Sequence, residues 1–150
     1  MPPLDPELAG HTFDPTPPYA VSREKIAEFT SAIGSPALDK GETAPLTFPI
    51  VVAFGAMTQL MTDPKVGIEL QNVVHGDQRF EYTRPVRAGD VLTGTITIDT
   101  LRAAAGMDMI GTRTEIATVD GDPVATAYAT LVHRAPADAE VESGAGEGSS

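Results

Sequence analysis

The chain has 150 residues, 41% of them hydrophobic, which suits a single domain with a true core. Its net charge is -11, from 21 acidic against 10 basic residues, and that balance excludes the basic footprint that a nucleic-acid binder needs. With no cysteine, disulfides, thiolate metal sites and cysteine nucleophiles are excluded together.

Pro2, Pro3, Pro6, Pro15, Pro17 and Pro18 crowd residues 1–18, which read as an extended lead-in wrapped over the domain. The start lacks the Met-Lys/Arg-apolar pattern of a signal segment, so the expected location is the cytoplasm. Tyr19-Ala20-Val21 is a short strand candidate. Ser22 is placed to cap a helix, with Val21 and Ile26 as a hydrophobic staple. Ile26, Phe29 and Ile33 form one apolar stripe at helical spacing, and Gly34 stops the helix in the left-handed region. Residues 34–45 are a loop of a length that is often functional.

The stretch from Ala44 to Met61 carries no charged residue, and only Thr58 and Gln59 interrupt its apolar run late. A helix with one wet face would show polar residues at helical spacing, so this helix is expected to be mostly buried. Thr47 is the expected N-cap, and Pro49 is tolerated in the first turn. Thr62-Asp63-Pro64 ends the helix. It is too short, and too close to Gly and Pro, for a membrane span. Gly55 would permit close approach of a strand or a partner helix.

Val66 to Asn72 reads as strand or loop, and Val73-Val74-His75 as the start of a sheet. From Gln78 to Arg84 the pattern alternates, Phe80 and Tyr82 against Arg79, Glu81 and Thr83. After a tight turn at Ala88-Gly89-Asp90, Val91 to Leu101 is the clearest strand. Leu92, Ile96 and Ile98 form one face, and Thr93, Thr95, Thr97 and Asp99 the other. Ala103 to Gly106 turns back into Met107–Val119, with Ile110 and Ile116 inward. Asp120-Gly121 signals a hairpin. Val124 to Arg134 presents a small face (Ala125, Ala127, Ala129, Leu131) against which a helix fits. Residues 135–150 lack the apolar groups to order themselves, so this tail is expected to be disordered.

One buried apolar helix followed by long antiparallel strands is an α+β pattern, and it fits the hot-dog fold, a sheet wrapped around a helix. The domain is expected over residues 19–134. A single hot dog leaves a sheet edge and apolar surface open, so a dimer with a continuous sheet is expected. His11, His75 and His133 form no short metal-ligand motif, and no metal or cofactor is expected.

Ala44-Pro45-Leu46-Thr47-Phe48 and the run His75-Gly76-Asp77-Gln78-Arg79-Phe80-Glu81-Tyr82-Thr83-Arg84-Pro85-Val86-Arg87-Ala88-Gly89-Asp90 go beyond architecture. With Tyr19-x-Val21-x-Arg23-Glu24-Lys25-Ile26 they resemble the MaoC-like dehydratases, across roughly residues 10 to 134. The nearest subgroup includes the non-catalytic subunits of the mycobacterial (3R)-hydroxyacyl-ACP dehydratase. The resemblance implies removal of water from (3R)-3-hydroxyacyl thioesters, or its addition to trans-2-enoyl thioesters, carried on CoA or on acyl carrier protein. Catalytic members carry Asp-x-Asn-Pro-x-His before the buried helix. One group handles the α-proton and another the hydroxyl, while a helix-start N–H polarises the thioester carbonyl.

Here the matching loop, Gly34-Ser35-Pro36-Ala37-Leu38-Asp39-Lys40-Gly41-Glu42-Thr43, holds no His and no Asn-Pro. No catalytic pair is assigned. His75, Asp39 and Glu42 are the candidates that remain, and each has a plainer reading: a hydrogen-bonded histidine at a strand start or dimer seam, and two solvated loop charges. Arg84, Arg87 and Asp90 fit either a phosphopantetheine or CoA phosphate, or a local ion pair. Thr47, Phe48, Pro49, Phe54, Met57 and Met61 are the expected acyl-binding residues, with ordinary core as the alternative. Three functions stay open: a subunit paired with a catalytic hot-dog partner, a stand-alone homodimeric hydratase or thioesterase, and an acyl-thioester-binding scaffold.

Overall fold

The structure, a computed structural model, describes residues 4–134. The expectation for residues 135–150 therefore lies outside the described residues, as do the first three residues of the lead-in. Five strands form one antiparallel sheet: β1 (Tyr19–Ala20), β2 (Val73–Tyr82), β3 (Val91–Ala104), β4 (Met107–Thr118) and β5 (Pro123–Arg134). Their order is β1-β3-β4-β5-β2, which among the described residues leaves β2 with a neighbour on one side only. Helix α1 (Arg23–Ala32) precedes the central helix α2 (Ile50–Thr62). This is the hot-dog arrangement read from the sequence.

The Ser22 side chain accepts the Lys25 N–H at 3.1 Å, and Gly34 takes a left-handed φ of +69° after the helix. Val21 and Ile26 are both buried, as a staple requires, but Ile33 is 48% exposed. The α1 stripe is therefore reduced to Ile26 and Phe29, about one turn. Helix α2 lies against the inner face of β3 and β4 and joins two core clusters. One gathers Val21, Ile26, Phe48, Val52, Leu92 and Ile116. The other gathers Phe13, Met57, Leu60, Ile96, Ile110 and Leu131. The small face of β5 is buried as expected.

The close approach of helix to sheet falls at Gly94 rather than at Gly55. A Cβ on Gly94 would lie 3.0 Å from Val52 Cγ1 and 3.1 Å from Thr114 Cγ2. On the exposed Gly55 it would only touch Thr16 Cγ2, at 3.9 Å. Nor is α2 covered all round: Phe54 is 55% exposed and Thr58 is exposed too, so its outward face finds no cover among the described residues.

Thr47 does not cap α2. Pro49 occupies the cap position without a side-chain hydrogen bond. The residues before it wind into tight turns instead, Phe48 N–H donating to the Pro45 carbonyl at 2.9 Å and Ile50 N–H to the Thr47 carbonyl at 3.1 Å. Between α2 and β2 the chain is a loop with one 3-10 turn, Leu70–Asn72. At the β4–β5 hairpin only Gly121, not Asp120, has positive φ, and the register shifts between Ile116 and Ala117, as in a bulged turn.

The lead-in does wrap the domain, and by a specific route. Gly10 N–H donates to the Ile98 carbonyl, Ile98 N–H to His11, Phe13 N–H to Ile96 and Thr16 N–H to Gly94. It thus runs along β3 as a strap, and the Thr12 and Thr97 hydroxyls meet at 2.9 Å. That contact is why Thr97, expected on the wet face, is buried.

Candidate functional site

Three pieces of chain converge where α2 begins. The first is the 34–45 loop. Asp39, Lys40 and Gly41 have φ of 50°, 54° and 86°, a left-handed run that only glycine adopts without strain. The bridge Leu38–Thr43 closes this turn, and Thr43 also bridges to Arg87. Ala44 N–H donates to the Val86 carbonyl and Ala88 N–H to the Glu42 carbonyl, both at 2.9 Å. The Glu42 carboxylate forms an ion pair with Arg23. Asp39 stands exposed at the start of the turn.

The second piece is the end of β2. The Tyr82 hydroxyl donates to the Leu46 carbonyl, tying β2 to the turns that lead into α2. Burial pushes the Tyr82 phenol up to about 12. Beyond it, Arg84 grips Asp90 with two hydrogen bonds, at 2.9 and 3.0 Å, and Arg87 N–H adds a third at 2.8 Å. Burial alone would raise the Asp90 pKa. The hydrogen bonds from Arg84 and from the Arg87 backbone outweigh it and hold that carboxyl below its usual range. The Arg84 guanidinium is thus engaged within its own connection, the ion-pair reading of this motif.

The third piece is α1, and between it and α2 lies an apolar cavity of about 430 Å³. Tyr19, Phe29, Ala32, Phe48 and Val51 line it, and Lys25 and Glu28 stand at its rim, 3.7 Å apart. Phe48 and Phe29 meet edge to face, with centroids 5.3 Å apart. The volume falls within the range of small-molecule pockets.

Of the expected acyl-binding residues, Phe48 lines this cavity. Met57 is buried in the second core cluster, and Met61 packs half-buried against it. Pro49 is buried, whereas Thr47 and Phe54 are exposed on the outside. His75 is elsewhere again. Its Nε2 lies 3.0 Å from Gln78 Oε1, near the start of β2. Seven residues of strand, about 23 Å at the usual rise, separate it from Tyr82. One chain therefore does not bring His75 together with Asp39 or Glu42. Nor are the first helical N–H groups open to a ligand: those of Ile50, Val51 and Val52 already donate to the carbonyls of Thr47, Phe48 and Pro49. Among the described residues no three metal-ligating side chains gather, and no helix is long and apolar enough to cross a membrane.

A family model described as FAS1-like, dehydratase domain region, matches residues 7–127. The chain belongs to this family. Its sequence is 44% identical, over 144 residues, to a UPF0336 protein of Streptomyces avermitilis, covering 88% of this chain and 96% of that one. Among solved structures, the HadBC (3R-hydroxyacyl-ACP dehydratase) complex of Mycobacterium tuberculosis matches with a TM-score of 0.71 and 29% identity, over 83% of this chain and 96% of that one. A MaoC-like dehydratase matches with a TM-score of 0.73 and 27% identity, over 85% of this chain but only 42% of that longer one. The resemblance carried by the 44–48 and 75–90 stretches is thereby borne out.

This dehydratase-region domain also holds a polar pair that the sequence did not single out. Asp108 on β4 and His133 on β5 face each other in register, each 1% exposed, with His133 Nδ1 3.3 Å from Asp108 Oδ2. His133 Nε2 accepts the Glu69 N–H at 3.1 Å, which assigns the ring proton to Nδ1, donated to Asp108. The pair fastens the α2–β2 loop over the end of the sheet. Only the pairing register reveals it, since the two residues stand far apart in sequence.

Proposed function

We propose that the chain is a subunit of a (3R)-hydroxyacyl-thioester dehydratase, or trans-2-enoyl-thioester hydratase, of fatty-acid metabolism. It contributes acyl-chain binding and structure, while a hot-dog partner supplies the acid–base pair. The observation that carries this reading is the contrast at the start of α2. An apolar cavity lies at Phe48, and the loop before the helix holds two carboxylates, an ion-paired Glu42 and an Asp39 held in a left-handed turn. Dehydration needs one group for the α-proton and another for the hydroxyl. Neither an imidazole nor open helix-start N–H groups of Ile50 to Val52 stand here to do it. The likeness to a dehydratase complex, and to a MaoC-like chain about twice as long, supports a unit built from two such domains.

The test is hydration of a long-chain trans-2-enoyl-CoA, followed by loss of enoyl absorbance. The expected result is no turnover by the folded chain alone and turnover once a hot-dog subunit bearing the His element is added. Turnover by the chain alone would overturn the proposal, and binding without turnover in both arms would mean a scaffold. In the active pair, Ala32→Phe fills the cavity from an exposed position. It should raise KM for long acyl chains about tenfold while sparing short ones, the scale expected for lost apolar contact.

A further inference from the structure

Residues 63–72, between α2 and β2, close over the second core cluster. Val66 is buried in that cluster, with Met57, Leu60 and Leu131, and Ile68 packs half-buried against it. The loop's own hydrogen bonds are local. Asp63 N–H returns to the Leu60 carbonyl and Val73 N–H to that of Leu70, while the N–H groups of Lys65, Val66 and Asn72 pair within the loop. What ties the middle of the loop to the sheet is the Glu69 N–H, donated to His133 Nε2 at 3.1 Å.

That bond exists only while His133 is neutral. The Nδ1 proton goes to Asp108, so Nε2 keeps the lone pair that accepts the Glu69 N–H. A second proton enters at Nε2. It turns the acceptor into a donor and sets donor against donor in a buried place, where an unmade hydrogen bond is costly. The Asp108 end behaves oppositely, since a carboxylate beside an imidazolium gains a charge-assisted hydrogen bond. Acid therefore opens one end of the pair and tightens the other. Among the described residues the surroundings add no further charge. β3 sets Ala103 in register with Asp108, and β2 sets Val73 in register with His133. Helix α2 carries no charged residue from Ile50 to Thr62. The Glu69 carboxylate is taken up by the Asn72 and Gln71 amides, at 3.1 and 3.3 Å, and Arg134 falls on the opposite face by strand alternation.

We propose that His133 is an acid-released latch: a proton on Nε2 frees residues 63–72 from the sheet and uncovers the second core cluster there, while β4 and β5 stay paired. The step is uptake of one proton from solvent and loss of one hydrogen bond. The domain thereby has a closed form, with Val66 and Ile68 seated, and an open form in which apolar surface around Leu131 becomes accessible.

Hydrogen exchange of the full chain at pH 8 and at pH 5, corrected for the intrinsic rate, reads the latch at the Glu69 amide. Protection there should fall about tenfold at the lower pH, the scale of one lost hydrogen bond, whereas the amides of β4 and β5 keep theirs. His133→Gln keeps an acceptor for Glu69 but takes up no proton, so its Glu69 protection should not change with pH. Asp108→Asn keeps an acceptor for the Nδ1 proton but withdraws the counter-charge, so release should need a lower pH than in wild type. A merely structural pair would lose stability in both variants without moving the pH of release. Should a variant fail to fold, nitrogen NMR of the wild-type imidazole decides: Nε2 must gain its proton over the pH interval in which Glu69 loses protection. Unchanged Glu69 protection at pH 5, a loss that persists in His133→Gln, a release unmoved by Asp108→Asn, or a proton on Nε2 without release each overturn the proposal. Turnover has no part in these measurements, so the subunit reading is judged separately.

Discussion

Tyr82 links sheet and site through two different contacts. Its ring packs on the first core cluster, and its hydroxyl holds the Leu46 carbonyl just before α2. Ionising the phenol breaks that hydrogen bond, since a phenolate cannot donate, and puts a charge where burial disfavours it. The folded-state pKa of about 12 lies above the ordinary phenol value of 10.0. The contribution is therefore fully present below pH 10 and is lost as pH rises through about 12. Alkaline unfolding of wild type should steepen across that window, and in Tyr82→Phe the slope should flatten. At neutral pH the same substitution should lower stability by about 1 kcal/mol, the usual worth of one hydrogen bond. Urea titrations at pH 8 and at pH 11 measure both, and an unchanged alkaline slope in the variant would count against this role for Tyr82. Asp90 answers to the opposite sign. Its lowered pKa means that stability present above the usual carboxylate range is lost as pH falls through the folded value.

At the scale of elements, what the sequence made legible is what local pattern encodes. Ser22 with the staple announced α1, the uncharged run announced α2, and alternation announced the strands, because caps and periodicity are decided by near neighbours. Features set by pairing register were not legible. Asp108 meets His133 only because β4 and β5 align them, and Thr97 is buried only because Thr12 of the strap lies on it. Of the expected acyl-binding residues, Met57 and Phe54 look alike in sequence, yet one is core and the other open to solvent. Rotation of α2 on the sheet decides between them. Gly94 sets that rotation by letting Val52 rest on β3. Gly94→Ala would push Cβ against Val52 Cγ1 and the stiff Thr114 side chain, so it should destabilise the domain by about 1–3 kcal/mol. Gly55→Ala, at an exposed helical site with ordinary contact to Thr16, should instead stabilise it by roughly 0.5–1 kcal/mol. Opposite shifts in urea midpoint for the two glycines check the packing; a loss at both would mean that α2 sits otherwise.

For the whole molecule, the strap decides which surfaces remain free. Leu4 and Phe13 are each 8% exposed, and Phe13 belongs to the cluster that also holds Ile96, Ile98 and Met57. The strap thus closes one end of the core and occupies an edge at once, and Pro15, Pro17 and Pro18, which lack N–H groups, flank Thr16, whose N–H pairs with Gly94. Removing residues 1–16 would strip the Phe13 ring from the core, which alone is worth about 3–5 kcal/mol by analogy with large-to-small core substitutions. It would also return the paired groups of Gly94, Ile96 and Ile98 to solvent. Two consequences are expected together: a large drop in urea midpoint, and association that grows with concentration through the uncovered β3 edge. Phe13→Ala in the full chain separates them, because it empties the core site while keeping the backbone strap. It should lose most of the stability and gain little association. If the truncated chain proved as stable as the full one, residues 10–16 would be an ornament on β3 rather than part of the core. If it lost stability without new association, β3 would need no cover, and the unequal treatment of the two edges would lose its rationale.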